Sequence, residues 1–591
     1  MSQSRKQQPS SAPLSKAMST LTPTRFHPYW LIIILIVYAI LSLYQLDLPG
    51  LHYDEAFEAV PALQLLLDQP VSTFRSSGLV LDGRLFPLMT QDYIGAINSY
   101  LAIPFIAIFG ATPAALRVMS VIIGAITIWL TYTLSHMLTG ESKVGLAAAF
   151  LLAVEPTFVF WNRQGIFVTA VTATIGLAAT LCWLRRWQSG SGRWSVAGAF
   201  FLGLGLYAKF LFVWLIAALL GGIILLNLSW LIKFRHKIID FAKTHQAEII
   251  GSGLAFMLGC WPLIMYNLQT GGTFLNISQN AATSYYGVDN LAFGTNLLER
   301  LSQFIILLNG SHLWYLGKII TNPLPSLMFI GVAILVVYLA TRSIVNRPNI
   351  WVSRASLRCP NPTKVALFPL LVIGLLILFS IATVSALWIT HFALLMPWPA
   401  LALAIGGWYI HHSVLLESRL KITIVIWVGL ILLTTTNLLT TIRYHQTLTE
   451  SGGLSSHSDA IYDLSDWLAR HTTGQVVAMD WGLAAPVTYL THGQVTPTEV
   501  FGYAWQPNPD LTGLLETFIA QPANLYLWRA PDEIIFDRSQ EFKALYQPRQ
   551  LVEQIEAAFY ERSGRPILGV TRLVPCGTPG IISPEPPDHC R

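Results

Sequence analysis

The chain has 591 residues, 53% of them hydrophobic and only 11% charged, with a mean hydropathy of +0.53 and a net charge of +5. A soluble globular protein carries roughly a quarter of its residues as charges, so this composition excludes that class and indicates a polytopic α-helical membrane protein. So small a net charge for the length gives no basic footprint, and no nucleic-acid partner is expected.

Residues 1 to 28 hold Arg5, Lys6, Lys16 and Arg25, no acid, and many Ser, Pro and Gln. They read as a disordered cytoplasmic leader. The apolar run from Tyr29 is the first candidate span; no small-residue cleavage site follows it, which argues against a signal peptide. Apolar segments near the crossing length of roughly 20 residues then recur to about residue 442. They cover 29–46, 115–137, 144–161, 165–184, 194–208, 211–231, 248–267, 323–341, 365–386, 391–412 and 421–441, about 11 spans in all.

A further apolar stretch, Tyr93 to Phe109, is assigned by parity. Counting it as a span would put "RRWQSGSGR" and "KFRHK" outside, against the positive-inside bias. Read as a juxtamembrane or re-entrant helix, it leaves those bases in the cytoplasm, together with the acid-free loop carrying Arg342, Arg347, Arg354, Arg358 and Lys364. The outer face then receives residues 47–92, with seven acids against two bases, and the tail from Arg443, with seventeen acids against ten bases. In the outer loop 268–322, Leu297, Leu298, Leu301, Phe304, Ile305 and Leu308 recur at helical spacing and predict a helix on the membrane surface.

Residues 443–591 mix charges, prolines and short apolar segments and suit one small extracytoplasmic α/β domain. "SDAIYDLSDWLARH" reads as a helix, and "QVVAMDW", "ANLYLWRA" and "PILGVTRLV" as strands. Asp480-Trp481-Gly482 reads as a strand-to-helix turn. Of the five cysteines, Cys576 and Cys590 stand in the tail, where a disulfide and two free thiols are both compatible with an outer location.

Chemistry is indicated first by "LHYDEAFEAV", residues 51–60, which sets Asp54, Glu55 and Glu58 into apolar surroundings. Phe57, Val60, Leu63, Leu66 and Leu67 predict an amphipathic helix here, bent or started late by Pro61. One reading makes Asp54 an N-cap and Glu55 and Glu58 first-turn acids favoured by the helix dipole. The other makes Asp54 a base. Lys209, Arg163, His391, Arg117 and Asp92 weigh towards the second reading, because all fall at the outer rim under this topology, where each charge near the membrane demands a reason. Carboxylates and cations gathered at one rim suit a reaction whose leaving group is a lipid-linked phosphate: the acid takes a proton from an acceptor hydroxyl, and the cations hold the phosphate oxygens. A transporter or flippase of a lipid-linked precursor would spread such charges through the membrane depth and is the alternative, as is a catalytically inactive relative acting in assembly. No internal repeat of the kind common in transporters is visible.

Over roughly residues 29–442 the sequence resembles the GT-C superfamily of membrane glycosyltransferases, in the branch with protein O-mannosyltransferases and the lipid A aminoarabinose transferase. The resemblance is carried by "YDEAF" after the first span, "FGATPAALRVMSVIIGAITIWLTYTL", "FFLGLGLYAKFLFVWLI" and "HFALLMPWPALALAIG", in that order. It implies an inverting transfer of a sugar from a polyprenyl-phosphate donor to an acceptor protein, lipid or glycan. It also implies Asp54 as catalytic base, Glu55 as its neighbour at the acceptor site, and Lys209 with Arg163 and Arg117 towards the donor phosphate. His52, Asp92, Tyr93 and His391 are the remaining substrate-binding candidates. Two features depart from the family pattern. "LMTQDYIGA" replaces the usual Lys-Pro-Pro-Leu at the end of the first outer loop, and "GIFVTAV" lacks the Asp expected after Arg163. A divalent cation shared by His52, Asp54 and Glu55 is the minor possibility for a cofactor.

Overall fold

The computed structural model describes residues 29–164, 169–233, 243–346, 361–414, 418–500, 511–580 and 582. Its membrane part begins with α1 (Tyr29–Leu43), α2 (Tyr53–Leu66), α3 (Ile97–Phe109), α4 (Pro113–Thr139), α5 (Ser142–Ala153) and α6 (Pro156–Gln164). It continues through α7 (Thr169–Ser189), α8 (Arg193–Ala208), α9 (Phe212–Lys233), α10 (Gln246–Gly259), α11 (Trp261–Thr270), α12 (Gly272–Gln279) and α13 (Phe293–Asn309). It closes with α14 (Leu324–Asn346), α15 (Pro362–Phe379), α16 (Pro397–Ser413) and α17 (Arg419–Ser451).

Among the described residues, five helices are long and apolar enough to cross a bilayer: α4, α9, α14, α15 and α17. Three bent pairs reach that length together: α5 with α6 at 64°, α10 with α11 at 61°, and the 3-10 turn Ile389–Leu395 with α16 at 46°. Each second half carries a proline at its first or second position, Pro156, Pro262 or Pro397, where a missing N–H costs least. The chain is a multi-pass membrane protein. The stretch expected to lie beside the membrane contains α3, whose 13 residues fall short of a crossing of roughly 20.

Two expectations change in the outer loops. The helix after the first span starts at Tyr53, and its N-cap is His52, whose Nδ1 accepts the Asp54 N–H at 3.2 Å. Asp54 is therefore a first-turn residue rather than the cap, and the helix runs on through Pro61. The amphipathic helix α13 buries Asn296, Arg300 and Gln303 as well as Phe304, Leu307 and Leu308, and leaves Leu298 70% exposed. Arg300 turns it: the guanidinium donates to the carbonyls of Ser380 (3.0 Å) and Trp388 (3.0 Å), so a polar row faces inward and part of the leucine stripe faces out.

The C-terminal residues form a five-stranded sheet in the order β6-β5-β7-β9-β8, from β5 (Val476–Ala478), β6 (Thr498–Glu499), β7 (Leu525–Arg529), β8 (Leu551–Tyr560) and β9 (Pro566–Pro575). Four short strands, β1 to β4 (Gly78–Leu81, Arg84–Pro87, Met89–Gln91, Ile94–Gly95), pair in the first outer loop. Strand β5 runs parallel to both its neighbours, whereas β9 is antiparallel to β7 and β8. The helix α18 (Ala460–His471) buries Ile461, Leu464 and Leu468 beside the sheet. Strand β8 was not foreseen; its Glu, Gln and Ala content and two register shifts hide the two-residue alternation of a strand.

This layer sits directly on the first outer loop. Ala485 and Tyr489 of α19 (Ala484–Leu490) share a core with Leu51, Tyr53, Ala56 and Val60 of the α2 region. Gly50 donates its N–H to the His457 carbonyl at 2.7 Å, and a Cβ at Gly50 would stand 2.0 Å from the Ser458 carbonyl oxygen. Cys359 and Cys590 lie outside the described residues.

Candidate active site

The start of α2 sorts its three carboxylates by helical angle. Glu55 turns inward, fully buried, and meets the fully buried Arg117 of α4, whose Nε and Nη2 each stand 3.0 Å from a carboxylate oxygen. Asp54 and Glu58, one turn apart, share the other face. The Asp54 side chain remains 32% exposed, with Oδ2 3.7 Å from His52 Nδ1. Glu58 is buried, and its Oε2 accepts from Asn98 Nδ2 at 2.6 Å. Burial pushes the Glu58 carboxyl above the usual carboxylate range, with Asn98 and Lys209 pulling the other way.

Lys209 reaches the same space from the turn between α8 and α9. Its main chain is fixed by an antiparallel bridge to Ile94 and by the Phe210 N–H donating to the Tyr93 carbonyl at 2.9 Å. Gly95 makes this approach possible, since a Cβ there would stand 2.3 Å from the Tyr207 carbonyl oxygen. The residue is 7% exposed, and among the described residues no hydrogen bond or ion pair holds its ammonium. Burial lowers its affinity for a proton, opposed by the charges of Glu58 and Asp54. The Asp54 charge also reaches Tyr93, Tyr285 and Tyr286, so these groups lie within electrostatic reach of it. An aromatic cluster is formed by Tyr93, whose hydroxyl lies 2.9 Å from that of Tyr285, then Tyr286 and, edge to face with it, Trp388. His391 stands beside Arg300, Nδ1 to Nη2 3.5 Å, and within electrostatic reach of Lys209.

The structure gives four of the sequence candidates other partners. Arg163 is fully buried and donates to the carbonyls of Ser42 (3.2 Å), Tyr44 and Gln45 (2.5 Å), capping the end of α1. Arg117 adds the Leu46 carbonyl (2.6 Å) to its pair with Glu55. Both guanidinium groups thus hold main-chain carbonyls at and just beyond the end of α1, with Arg163 Nη1 left buried and without a hydrogen-bond partner among the described residues. Asp92 takes Arg75 bidentately (2.7 and 2.8 Å) and the hydroxyl of Tyr266 (2.5 Å), tying the loop to α11. The His52 ring stacks on His457 at 4.2 Å, and His457 in turn on Tyr315 at 4.3 Å. With Glu55 facing Arg117, the set His52, Asp54 and Glu55 does not converge, and no group of three metal-binding side chains occurs among the described residues.

Because Arg117 and Glu55 are buried together, removing one charge strands the other. Arg117→Met is expected to cost about 3 kcal/mol of stability. Thermal unfolding in detergent checks this, and adding Glu55→Gln should return much of the loss.

The C-terminal sheet roofs the start of α2. Trp481 packs on Tyr53 with ring centroids 4.5 Å apart, and Gly482 donates to Glu499 Oε1 at 2.6 Å. Asp480 accepts the main-chain N–H groups of Ile535 and Phe536, both at 2.9 Å, and so shapes the expected turn. Arg300, Tyr285 and Tyr286 escaped the sequence reading. Arg300 had a usable signal, a lone base within an apolar helical stripe; the aromatic residues had none. A separate apolar cavity in the bundle, bordered by Leu151, Met396, Leu433, Glu155 and Asn437, shares none of these residues.

Residues 97–244 match the family described as dolichyl-phosphate-mannose-protein mannosyltransferase. No curated protein sequence matches the chain. Among solved structures, ArnT from Cupriavidus metallidurans bound to undecaprenyl phosphate aligns over 95% of this chain and 100% of its own, at 10% identity and a TM-score of 0.57. The apo form of the same protein (12% identity, 92% and 98% coverage) and the apo Archaeoglobus fulgidus oligosaccharyltransferase (14% identity, 91% and 75% coverage) both align with a TM-score of 0.46. The resemblance to GT-C membrane glycosyltransferases therefore holds at the level of fold.

Proposed function

We propose that this chain is an inverting glycosyltransferase that moves a sugar from a polyprenyl phosphate to an acceptor at the outer face of a cell membrane. The observation that carries this reading is a partly exposed Asp54 within electrostatic reach of a buried Lys209 whose ammonium no hydrogen bond or ion pair holds among the described residues. The ArnT relative bound to undecaprenyl phosphate supports the donor class.

Asp54 takes the proton of an acceptor hydroxyl as that oxygen attacks the anomeric carbon. The bond from that carbon to the phosphate oxygen breaks, the electron pair stays on the phosphate, and Lys209 meets the growing charge. A single displacement inverts the anomeric centre. Arg117, Arg163 and Asp92 act as scaffold: they hold the outer loop that carries α2 against the bundle. His391 with Arg300 borders the donor side, and Tyr93 with Tyr285 and Tyr286 borders the sugar. The N-terminus lies in the cytoplasm, and the C-terminal sheet, as a separate domain from about residue 443, shelters the acceptor side.

Purified protein in vesicles, supplied with a panel of polyprenyl-phosphate sugars and an envelope extract as acceptor, tests the reading. The expected result is release of free polyprenyl phosphate with one donor. Movement of intact lipid-linked sugar across the vesicle wall, without cleavage, would establish the transporter instead.

A further inference from the structure

The Asp54 carboxylate accepts no hydrogen bond among the described residues, and the one group there within ion-pair distance of it is His52 Nδ1, 3.7 Å from Oδ2. A base with nothing bonded to its oxygens takes its direction from the main chain that carries it. That main chain is gripped by the C-terminal residues. Each of the two residues before Asp54 packs on one of their rings: His52 on His457, centroids 4.2 Å and planes 12° apart, and Tyr53 on Trp481, centroids 4.5 Å apart. One ring contact would leave the segment free to pivot about it; a second on the next residue removes that freedom.

Both rings are anchored in turn. His457, in the 3-10 turn Ser455–His457, also stacks on Tyr315 at 4.3 Å, and the Tyr315 hydroxyl donates to Gln164 Oε1 of α6 at 2.5 Å. The His457 ring makes no hydrogen bond among the described residues, with Nδ1 buried, so it contributes by contact alone. Trp481 follows the buried Asp480, which stands 3.4 Å from Nε of the buried Arg529, and Arg529 Nη2 donates to the Trp481 carbonyl at 3.1 Å. Gly482, at φ +85°, leaves room for this approach, since a Cβ there would stand 3.1 Å from Arg529 Nη2.

We propose that His457 and Trp481 are positioning residues for Asp54: the C-terminal layer fixes the direction of the base by clamping the two residues before it, and touches no reacting atom. The inference rests on the reading of Asp54 as the base. The link to the base runs through His52, whose Nδ1 accepts the Asp54 N–H at 3.2 Å, so a shift of that ring carries the first turn of α2 with it. Misplacing a reacting group by about 1 Å can cost about 10² in rate. Packing alone would act on stability instead, and a contact to the acceptor would act on half-saturation.

Four variants of the full chain in vesicles test this. His457→Leu and Trp481→Leu keep apolar bulk without a flat face; His457→Phe and Trp481→Phe keep a flat ring. With the polyprenyl-phosphate sugar that supports transfer, each Leu variant should lower kcat by about ten- to hundredfold. Half-saturation by envelope extract and Kd for undecaprenyl phosphate should not change, and the Phe variants should restore kcat. On an Asp54→Asn background the Leu substitutions should cost nothing further, because a base that is absent cannot be misplaced. Hydrogen exchange gives a readout independent of turnover: residues 52–56 should exchange faster in the Leu variants while the C-terminal sheet keeps its protection. A loss that multiplies with Asp54→Asn, a shifted half-saturation at unchanged kcat, normal protection of residues 52–56, or protection lost throughout the chain overturns the inference alone. Wild-type turnover in Asp54→Asn itself overturns the base assignment, and the positioning role with it.

Discussion

Asp54→Asn is expected to lower turnover by about 10²- to 10⁴-fold, the usual contribution of a positioned base, while leaving the fold intact. The substitution keeps the size of the side chain and removes its ability to accept a proton. Helix α2 does not depend on it for capping, because His52 holds the Asp54 main-chain N–H and that bond survives. Only a first-turn dipole interaction of about 0.3–1 kcal/mol is lost. Undecaprenyl phosphate should bind as well or slightly better, since one negative charge near Lys209 disappears. Steady-state transfer and lipid binding, measured on the same preparation, check both halves; unchanged turnover would leave Asp54 without its role.

Lys209→Met should separate activity from stability. Met preserves the length of the side chain and removes a cation that no hydrogen bond or ion pair holds among the described residues. Loss of a charge-assisted contact to the phosphate weakens donor binding by about 1.5–3 kcal/mol, or roughly ten- to hundredfold. Loss of charge stabilisation on the leaving group reduces turnover by about 10²–10³. The empty protein no longer bears the desolvation of a buried ammonium, so its thermal midpoint should hold or rise. A lowered midpoint with normal lipid affinity would show that Lys209 serves packing rather than the donor. The contrast with Arg117→Met is diagnostic, because there the buried cation is paired and the loss falls on stability.

The outer-loop charges show how far a sequence carries such a site. "YDEAF" places Asp54 and Glu55 side by side, and neighbours on a helix point about a quarter-turn or more apart, so the two were bound to face different surroundings. Which of them meets solvent depends on Arg117, 62 residues away in sequence. Glu58 is at i+4 from Asp54, and that spacing alone puts it on the same face. The charge that reaches it, Lys209, is brought near by packing of a remote turn, through the bridge to Ile94. Arg163 looked like an anion ligand because it is a cation at a membrane rim; in the structure three carbonyls at the end of α1 claim it.

By itself, the sequence determined what depends on local composition and period: a many-helix membrane protein, the apolar segments from Tyr29 to the start of the tail, and the acidic helix after the first of them. Burying an apolar helix in lipid needs no distant partner, because its backbone is satisfied within the segment. The tertiary structure decided which charges are spent and which stay available. A cation's role is set by whichever carbonyls, carboxylates or open space its long side chain meets, and only packing of remote segments fixes that. Here it gave Arg117, Arg163 and Asp92 main-chain and side-chain partners and left Asp54, Glu58 and Lys209 within electrostatic reach of one another.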